Sequence, residues 1–184
     1  MVRSAYSLLQ GTMSVQRVVL QAKALGYTSV ALTDRLTMTA IPEFITVCAQ
    51  EGIRPIIGVE LDLMIEETVV PLICLATDNQ GYHWLIRQSS LQNTVKKSLN
   101  LADLYTDDKT ERDENHVVFI LPSVNPYFEP EFTKETGSAL SQKLDFLMTK
   151  VPTLMIGITK QESAFYQKAN QRIKTLLKGS TIQT

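Results

Sequence analysis

A unit that occurs twice limits what this chain can fold into. In each copy a helical segment stops on a glycine, an apolar strand follows, and an acid stands eight residues past the glycine. Leu25-Gly26-Tyr27 leads through Ser29-Val30-Ala31-Leu32-Thr33 to Asp34, and Gly52-Ile53 leads through Pro55-Ile56-Ile57-Gly58-Val59 to Glu60. The repeat of 26 residues suits a short helix, two turns and a buried strand, which predicts successive βα units of a parallel sheet or barrel. Both acids then fall at strand C-terminal ends, the rim on which such folds build their sites.

The flanking pattern fills in the other elements. Ser14 is the expected N-cap of a first helix with Val15, Val18, Val19, Ala22 and Leu25 on one face. A second helix is expected from Ala40 to Glu51, capped by Thr39, with Ile41, Phe44, Ile45 and Cys48 inward. After Glu66-Glu67, the run Val69 to Ala76 should pair back through a hairpin, with Pro71 near its start or on an edge, since proline cannot donate to a ladder. Asp78 is placed to cap a helix carrying Tyr82, Leu85, Ile86 and Ser89, and Asn100 to Leu104 reads as a short helix. The polar stretch Asp107 to Asn115 reads as a solvated loop, Val117 to Leu121 as a buried strand, and Pro126 to Pro130 as a loop. A helix with Leu140, Leu144 and Leu147, a strand from Thr153 to Ile158, and a helix from Glu162 to Lys178 with Phe165, Ala169, Ile173 and Leu176 inward complete the series. Only Ser180 to Thr184 follow Gly179, where another strand is due. The expectation is therefore a truncated sheet whose last five residues are disordered or paired with another molecule.

Charge and composition narrow the function. A net charge of −1, and no basic run longer than Lys96-Lys97, argue against an autonomous nucleic-acid binder. No apolar run approaches the length of a membrane span, so a soluble cytoplasmic domain with no membrane partner is expected. Cys48 and Cys74 sit in apolar stretches and read as small buried hydrophobes. His83 and His116 are the only histidines and read as structural or surface groups; Tyr6, Trp84, Tyr127 and Phe128 read as packing rather than base-stacking residues. No Gly-rich phosphate loop, Cys-x-x-Cys pair or nucleophile elbow is present.

The opening Met1-Val2-Arg3-Ser4-Ala5-Tyr6-Ser7-Leu8-Leu9-Gln10-Gly11, followed by Leu25-Gly26, Ala31-Leu32-Thr33-Asp34, Gly52 to Glu60 and Asn79-Gln80-Gly81-Tyr82, resembles the PHP (polymerase and histidinol phosphatase) domain. The resemblance is nearest to the version at the N-terminus of the alpha subunit of bacterial DNA polymerase III. It implies a distorted (β/α)7 TIM-like barrel, here truncated on its C-terminal side, with residues 1–184 as the N-terminal portion of one such domain in a larger chain.

In metal-binding members a His-x-His pair opens the first strand, the second strand ends Thr-Asp-His, the third ends Gly-x-Glu, and a further His begins the strand after the hairpin. Transferred position by position, these fall on Met1 and Arg3, on Asp34 and Arg35, on Glu60 and on Pro71. Only Asp34 and Glu60 survive, and two carboxylates alone hold a borderline metal poorly. The expectation is a remnant site of Arg3, Asp34, Arg35 and Glu60, with ion pairs in place of metals, no catalytic or cofactor-binding residue in this segment, and both acids within about 10 Å on one rim. The resemblance further implies a scaffold for the polymerase module of the same chain. DNA and other replisome subunits would be reached through the parent polymerase, whose own cofactor would be Mg. Mn or Zn would belong only to the alternatives, an active phosphoesterase or 3′ exonuclease on the same rim, or a free-standing histidinol-phosphatase-type hydrolase.

Overall fold

The computed structural model describes residues 2–7, 11–95, 98–104, 116–133, 138–151, 154–158 and 163–179. Six strands, β1 (Ser29–Arg35), β2 (Arg54–Ile65), β3 (Thr68–Ala76), β4 (Leu99–Asn100), β5 (Val117–Pro122) and β6 (Leu154–Gly157), form one sheet. Its order is β1-β2-β3-β5-β6, with β4 pairing β2. The helices are α1 (Val15–Ala24), α2 (Ile41–Glu51), α3 (Asn79–Val95), α4 (Glu129–Phe132), α5 (Ser138–Lys150) and α6 (Ala164–Gly179). The α/β class and the βα succession agree with the sequence, but the sheet is mixed. β1–β2, β2–β4 and β5–β6 run parallel, whereas the hairpin partner β3 is antiparallel to both β2 and β5. The expected residues Met1, Lys96-Lys97, Asp107 to Asn115, Thr153, Glu162 and Ser180 to Thr184 lie outside the described residues.

Local chemistry accounts for most boundaries. Ser14 caps α1 by accepting from the Arg17 N–H, and both repeat glycines take left-handed backbone (φ 81° at Gly26, 68° at Gly52) that a side chain would strain. Several details differ from the sequence reading. Phe165, expected inward, is 36% exposed, its ring meeting Phe132 edge-on at the margin of the core. Asn100 pairs in β4 beside β2, so the short helix expected from Asn100 is a single 3₁₀ turn over Leu101–Leu104. Leu25 is the C-cap of α1 and 66% exposed, because the helix ends before its side chain can turn inward. Ala40, not Thr39, is the N-cap of α2, since Thr39 is engaged with the Thr37 hydroxyl. Ile45 is 39% exposed, off the stripe of Ile41, Phe44 and Cys48. The stretch around Pro130 is not a loop throughout: Asn125 Oδ1 accepts from the Tyr127 and Phe128 N–H groups, and the chain then turns into α4.

One sheet face is covered by helices and holds the core. Val30 and Leu32 pack there with Val15, Val19 and Phe44, and Val59, Leu61, Leu63, Leu72 and Cys74 pack with Leu85, Leu140 and Leu147. Burial raises the Cys48 and Cys74 thiols above their ordinary pKa, as inert core cysteines require. By register the opposite face carries Gly58, Glu60, Asp62, Ile73 and Ile120, with Met155 exposed at the sheet edge. Backbones approach closely at Gly58, where an added Cβ would stand 2.8 Å from the Cys74 carbonyl oxygen and 2.9 Å from Thr33 Cγ2. Gly58→Ala is expected to cost about 1–3 kcal/mol by overpacking; a urea midpoint unchanged from the wild type would contradict that close fit.

Candidate functional site

The parallel register places Arg35 opposite Glu60 and Asp34 opposite Val59. Partners in register share a face, and successive residues of a strand alternate. Asp34 and Glu60 are therefore diagonal neighbours, and their side chains leave opposite faces of the sheet. Asp34 stands near the C-terminal end of β1, but Glu60 is in the middle of β2, which continues to Ile65 because it runs into the hairpin. The sequence-level picture of two acids converging on one site is replaced by two separate networks.

On the helix-covered face, Asp34 is 2% exposed and accepts three hydrogen bonds from the segment before α1. The Ser4 N–H reaches Oδ1 at 2.7 Å, the Ser4 hydroxyl reaches Oδ2 at 2.6 Å, and the Ser7 hydroxyl reaches Oδ1 at 2.6 Å. Ser7 Oγ in turn accepts from the Arg35 N–H at 3.0 Å. This segment lies along the free edge of β1, where the Thr33 N–H donates to the Val2 carbonyl at 2.9 Å. Ser4 and Ser7 were not singled out from sequence, although their three-residue spacing within the opening motif was visible.

On the opposite face four charges alternate in a chain. Arg3 Nη2 lies 2.5 Å from Glu60 Oε2, Arg35 Nη1 lies 3.0 Å from Glu60 Oε1, and Arg35 Nη2 lies 2.8 Å from Asp62 Oδ1. The Glu60 side chain is 2% exposed, whereas Arg3 and Arg35 are 26% and 30% exposed. Burial works against the Arg35 charge, but the hydrogen bonds and fields of Asp62 and Glu60 more than offset it, so its pKa lies above the ordinary guanidinium value. Arg3 Nε is buried without an acceptor among the described residues. The structure thus brings Arg3, Arg35 and Glu60 together, leaves Asp34 out, and adds Asp62. Strand alternation could have found Asp62, two residues beyond Glu60 and hence on its face.

The turn after β1 is fixed from three sides. Leu36 holds a positive φ of 56°, unfavourable for a residue with a Cβ. Its N–H donates to the Glu60 carbonyl at 2.8 Å, and its own carbonyl accepts from the Ser89 hydroxyl and the Asn93 amide of α3. These bonds tie the rim to the helix behind it.

These residues do not fit the metal centre that the fold family implies. Among the described residues no group of three or more His, Cys, Asp or Glu side chains gathers as a metal site. Both Glu60 oxygens face guanidinium groups, and Asp34 is committed to serines on the other face. Pro71, at the position of the later histidine, is paired with Asp62 in the hairpin and offers no donor side chain. Among the described residues β3 has only β2 beside it at this point, since the pairing with β5 begins at Ile73.

The histidines stand elsewhere. His83 is exposed on α3. His116 Nδ1 lies 2.5 Å from Asp78 Oδ2, and Asp78 Oδ1 accepts from the Gly81 N–H at the start of α3. The Gly81 N–H, and then His116, hold the Asp78 carboxyl below its ordinary range. A depressed carboxyl contributes stability above its unfolded pKa and loses it as pH falls through the folded one. The first turn of α3 is thus expected to loosen below about pH 4. Amide exchange at Gly81 should rise there, and Asp78→Asn should remove the pH step; an unaltered step in that variant would contradict the assignment.

A mixed α/β sheet with helices packed on one face defines the class, and comparison with known proteins gives the family. The PHP domain model matches residues 1–178, and the chain belongs to that family. It is 37% identical over 99 residues to the DNA polymerase III subunit alpha of Bacillus subtilis (strain 168), covering 52% of this chain and 9% of that one. It is 41% identical over 100 residues to the subunit of the same description in Treponema pallidum (strain Nichols), covering 48% and 8%. The matched stretches thus span less than a tenth of the length of these relatives. Among solved structures, a protein from Bifidobacterium adolescentis assigned as a metal-dependent phosphoesterase has a TM-score of 0.58 at 12% identity, over 96% of this chain and 81% of that one. An amidohydrolase from Chromobacterium violaceum, with bound sulfate and no metal, has a TM-score of 0.57 at 11% identity, over 95% and 80%. At such identities the likeness shows the fold alone.

Proposed function

We propose that these 184 residues are part of the N-terminal PHP domain of a bacterial replicative DNA polymerase alpha subunit, and that the domain serves there as a structural scaffold rather than as a phosphoesterase. The polymerase assignment is supported by the 37% and 41% identity to alpha subunits over about half of this chain. The scaffold role rests on one observation: both surviving acids of the family site are committed within the protein, Asp34 to Ser4 and Ser7 and Glu60 to Arg3 and Arg35. A hydrolytic centre needs donors free to hold an ion and a water, and among the described residues no group of three or more metal-ligating side chains gathers there. In this reading the domain packs on the polymerase module of its own chain. DNA, the other replisome subunits and Mg are engaged by that parent in the cytoplasm. Among the described residues no helix is long and apolar enough to cross a membrane.

The fold likeness to a protein assigned as a metal-dependent phosphoesterase favours a second reading, hydrolysis of phosphate esters or of a DNA 3′ end with Mn or Zn. One experiment separates the two. The full-length parent should extend primers but release no phosphate from p-nitrophenyl phosphate and no nucleotide from a primed 3′ end through this domain. Asp34→Ala should lower the yield of folded polymerase while leaving the kcat of the folded fraction unchanged. Hydrolysis that survives inactivation of the polymerase site and disappears with Glu60→Gln would establish the second reading instead.

A further inference from the structure

We infer that Arg3 and Arg35 are resident cations: their guanidinium groups fill the places beside Glu60 and Asp62 where a divalent ion would bind, and so keep this rim closed to metal. The four charges alternate as Arg3–Glu60–Arg35–Asp62, each neighbour in contact at 2.5–3.0 Å. Two positive groups balance two negative ones, so no net field draws in a cation. Each Glu60 oxygen faces a different arginine, and Arg35 divides its fork between Glu60 and Asp62 in the bridging role a metal would otherwise take. Unlike histidine or lysine, a guanidinium cannot give up its proton under protein conditions, so neither pH nor a chelator opens the place.

The consequence is a latent site. Glu60 and Asp62 lie two residues apart on one strand and one face, close enough for their carboxylates to share an ion once Arg35 is gone. Removing Arg35 takes the charge of the cluster from zero to −1, and removing Arg3 as well takes it to −2. The wild-type arginines thus suppress an affinity that the carboxylates retain.

The test is Mn2+ titration of the full-length chain, followed by the electron paramagnetic resonance of free Mn2+. Wild type and Arg35→Lys, which keeps the charge, should leave the signal unaffected by this rim. Arg35→Gln, and more strongly Arg3→Ala with Arg35→Gln, should bind Mn2+ at least about tenfold more tightly, the size of effect expected when one adjacent like charge is removed. Adding Glu60→Gln should abolish the gain. Methylguanidinium at non-denaturing concentration should compete for the opened place and raise the melting temperature of Arg35→Ala but not of wild type. Folded arginine variants that bind Mn2+ no better than wild type would overturn this inference and leave the scaffold reading standing. Wild-type Mn2+ binding lost in Glu60→Gln would overturn both. If the double variant folds only in the presence of Mn2+, the inference is upheld; if Arg35→Lys gains as much affinity as Arg35→Gln, it fails.

Discussion

Asp34→Ala is expected to destabilise the folded chain by about 3 kcal/mol, through loss of charge-assisted hydrogen bonds and stranding of their buried donors. Asp34 is almost wholly buried and accepts from the Ser4 N–H, the Ser4 hydroxyl and the Ser7 hydroxyl at 2.6–2.7 Å. Removing the carboxylate recovers its desolvation cost, which keeps the net loss below the sum of three such bonds. It also frees the segment that carries Arg3, so the damage spreads to the opposite face. Ser4→Ala and Ser7→Ala should each cost about 1–2 kcal/mol and be strongly non-additive with Asp34→Ala. Urea denaturation of the wild type, the three single variants and the two doubles that pair each serine change with Asp34→Ala measures this. A shift under about 1 kcal/mol for Asp34→Ala would mean that the serines find other partners and that Asp34 does not anchor the N-terminal segment.

Glu60→Ala should be comparably severe, about 3 kcal/mol, because it leaves Arg3 without its ion-pair partner and Arg35 with Asp62 alone. The value sits at the low end for breaking a buried pair, since both arginines are about one-quarter to one-third exposed and can turn toward water. Combining Glu60→Ala with Arg3→Ala should cost clearly less than the two separate effects together, because the second change removes the stranded charge created by the first. High salt should narrow the gap between Glu60→Ala and wild type. Additive effects at all salt concentrations would show that the observed contacts carry little energy.

The backbone of this site was legible in the sequence, whereas its side-chain pairing was not. Gly26 and Gly52 end helices in left-handed backbone and hand over to paired strands that carry Asp34 and Glu60, as the repeated unit indicates. Only Asp34 stands at a strand end, however: β2 runs on to Ile65 into the hairpin, which leaves Glu60 in mid-strand. The hairpin of β2 and β3, the buried cysteines and the apolar stripe Leu140-Leu144-Leu147 were likewise readable from period and punctuation. Register is set by packing between strands and is not written in either strand alone. One residue of offset puts Arg35 rather than Asp34 opposite Glu60, and with it Asp34 turns to the helix side. The antiparallel pairing of β3 with β5 also escapes a reading by units, because continuous apolar runs such as Val117 to Leu121 look alike in either direction. The cap at Ala40 eluded the sequence because Thr37 offered Thr39 a competing hydroxyl partner.

Whether this rim holds an exchangeable metal is asked most directly by metal analysis of the full-length chain. The protein is purified without chelator, dialysed, and its Zn, Mn and Fe content measured beside Glu60→Gln, with melting curves before and after chelator. Arg3 and Arg35 already satisfy Glu60, so the expected result is far less than one metal per chain in both proteins and coincident melting curves. Near-stoichiometric metal in the wild type, absent from Glu60→Gln, with a melting temperature that falls on chelation, would contradict it.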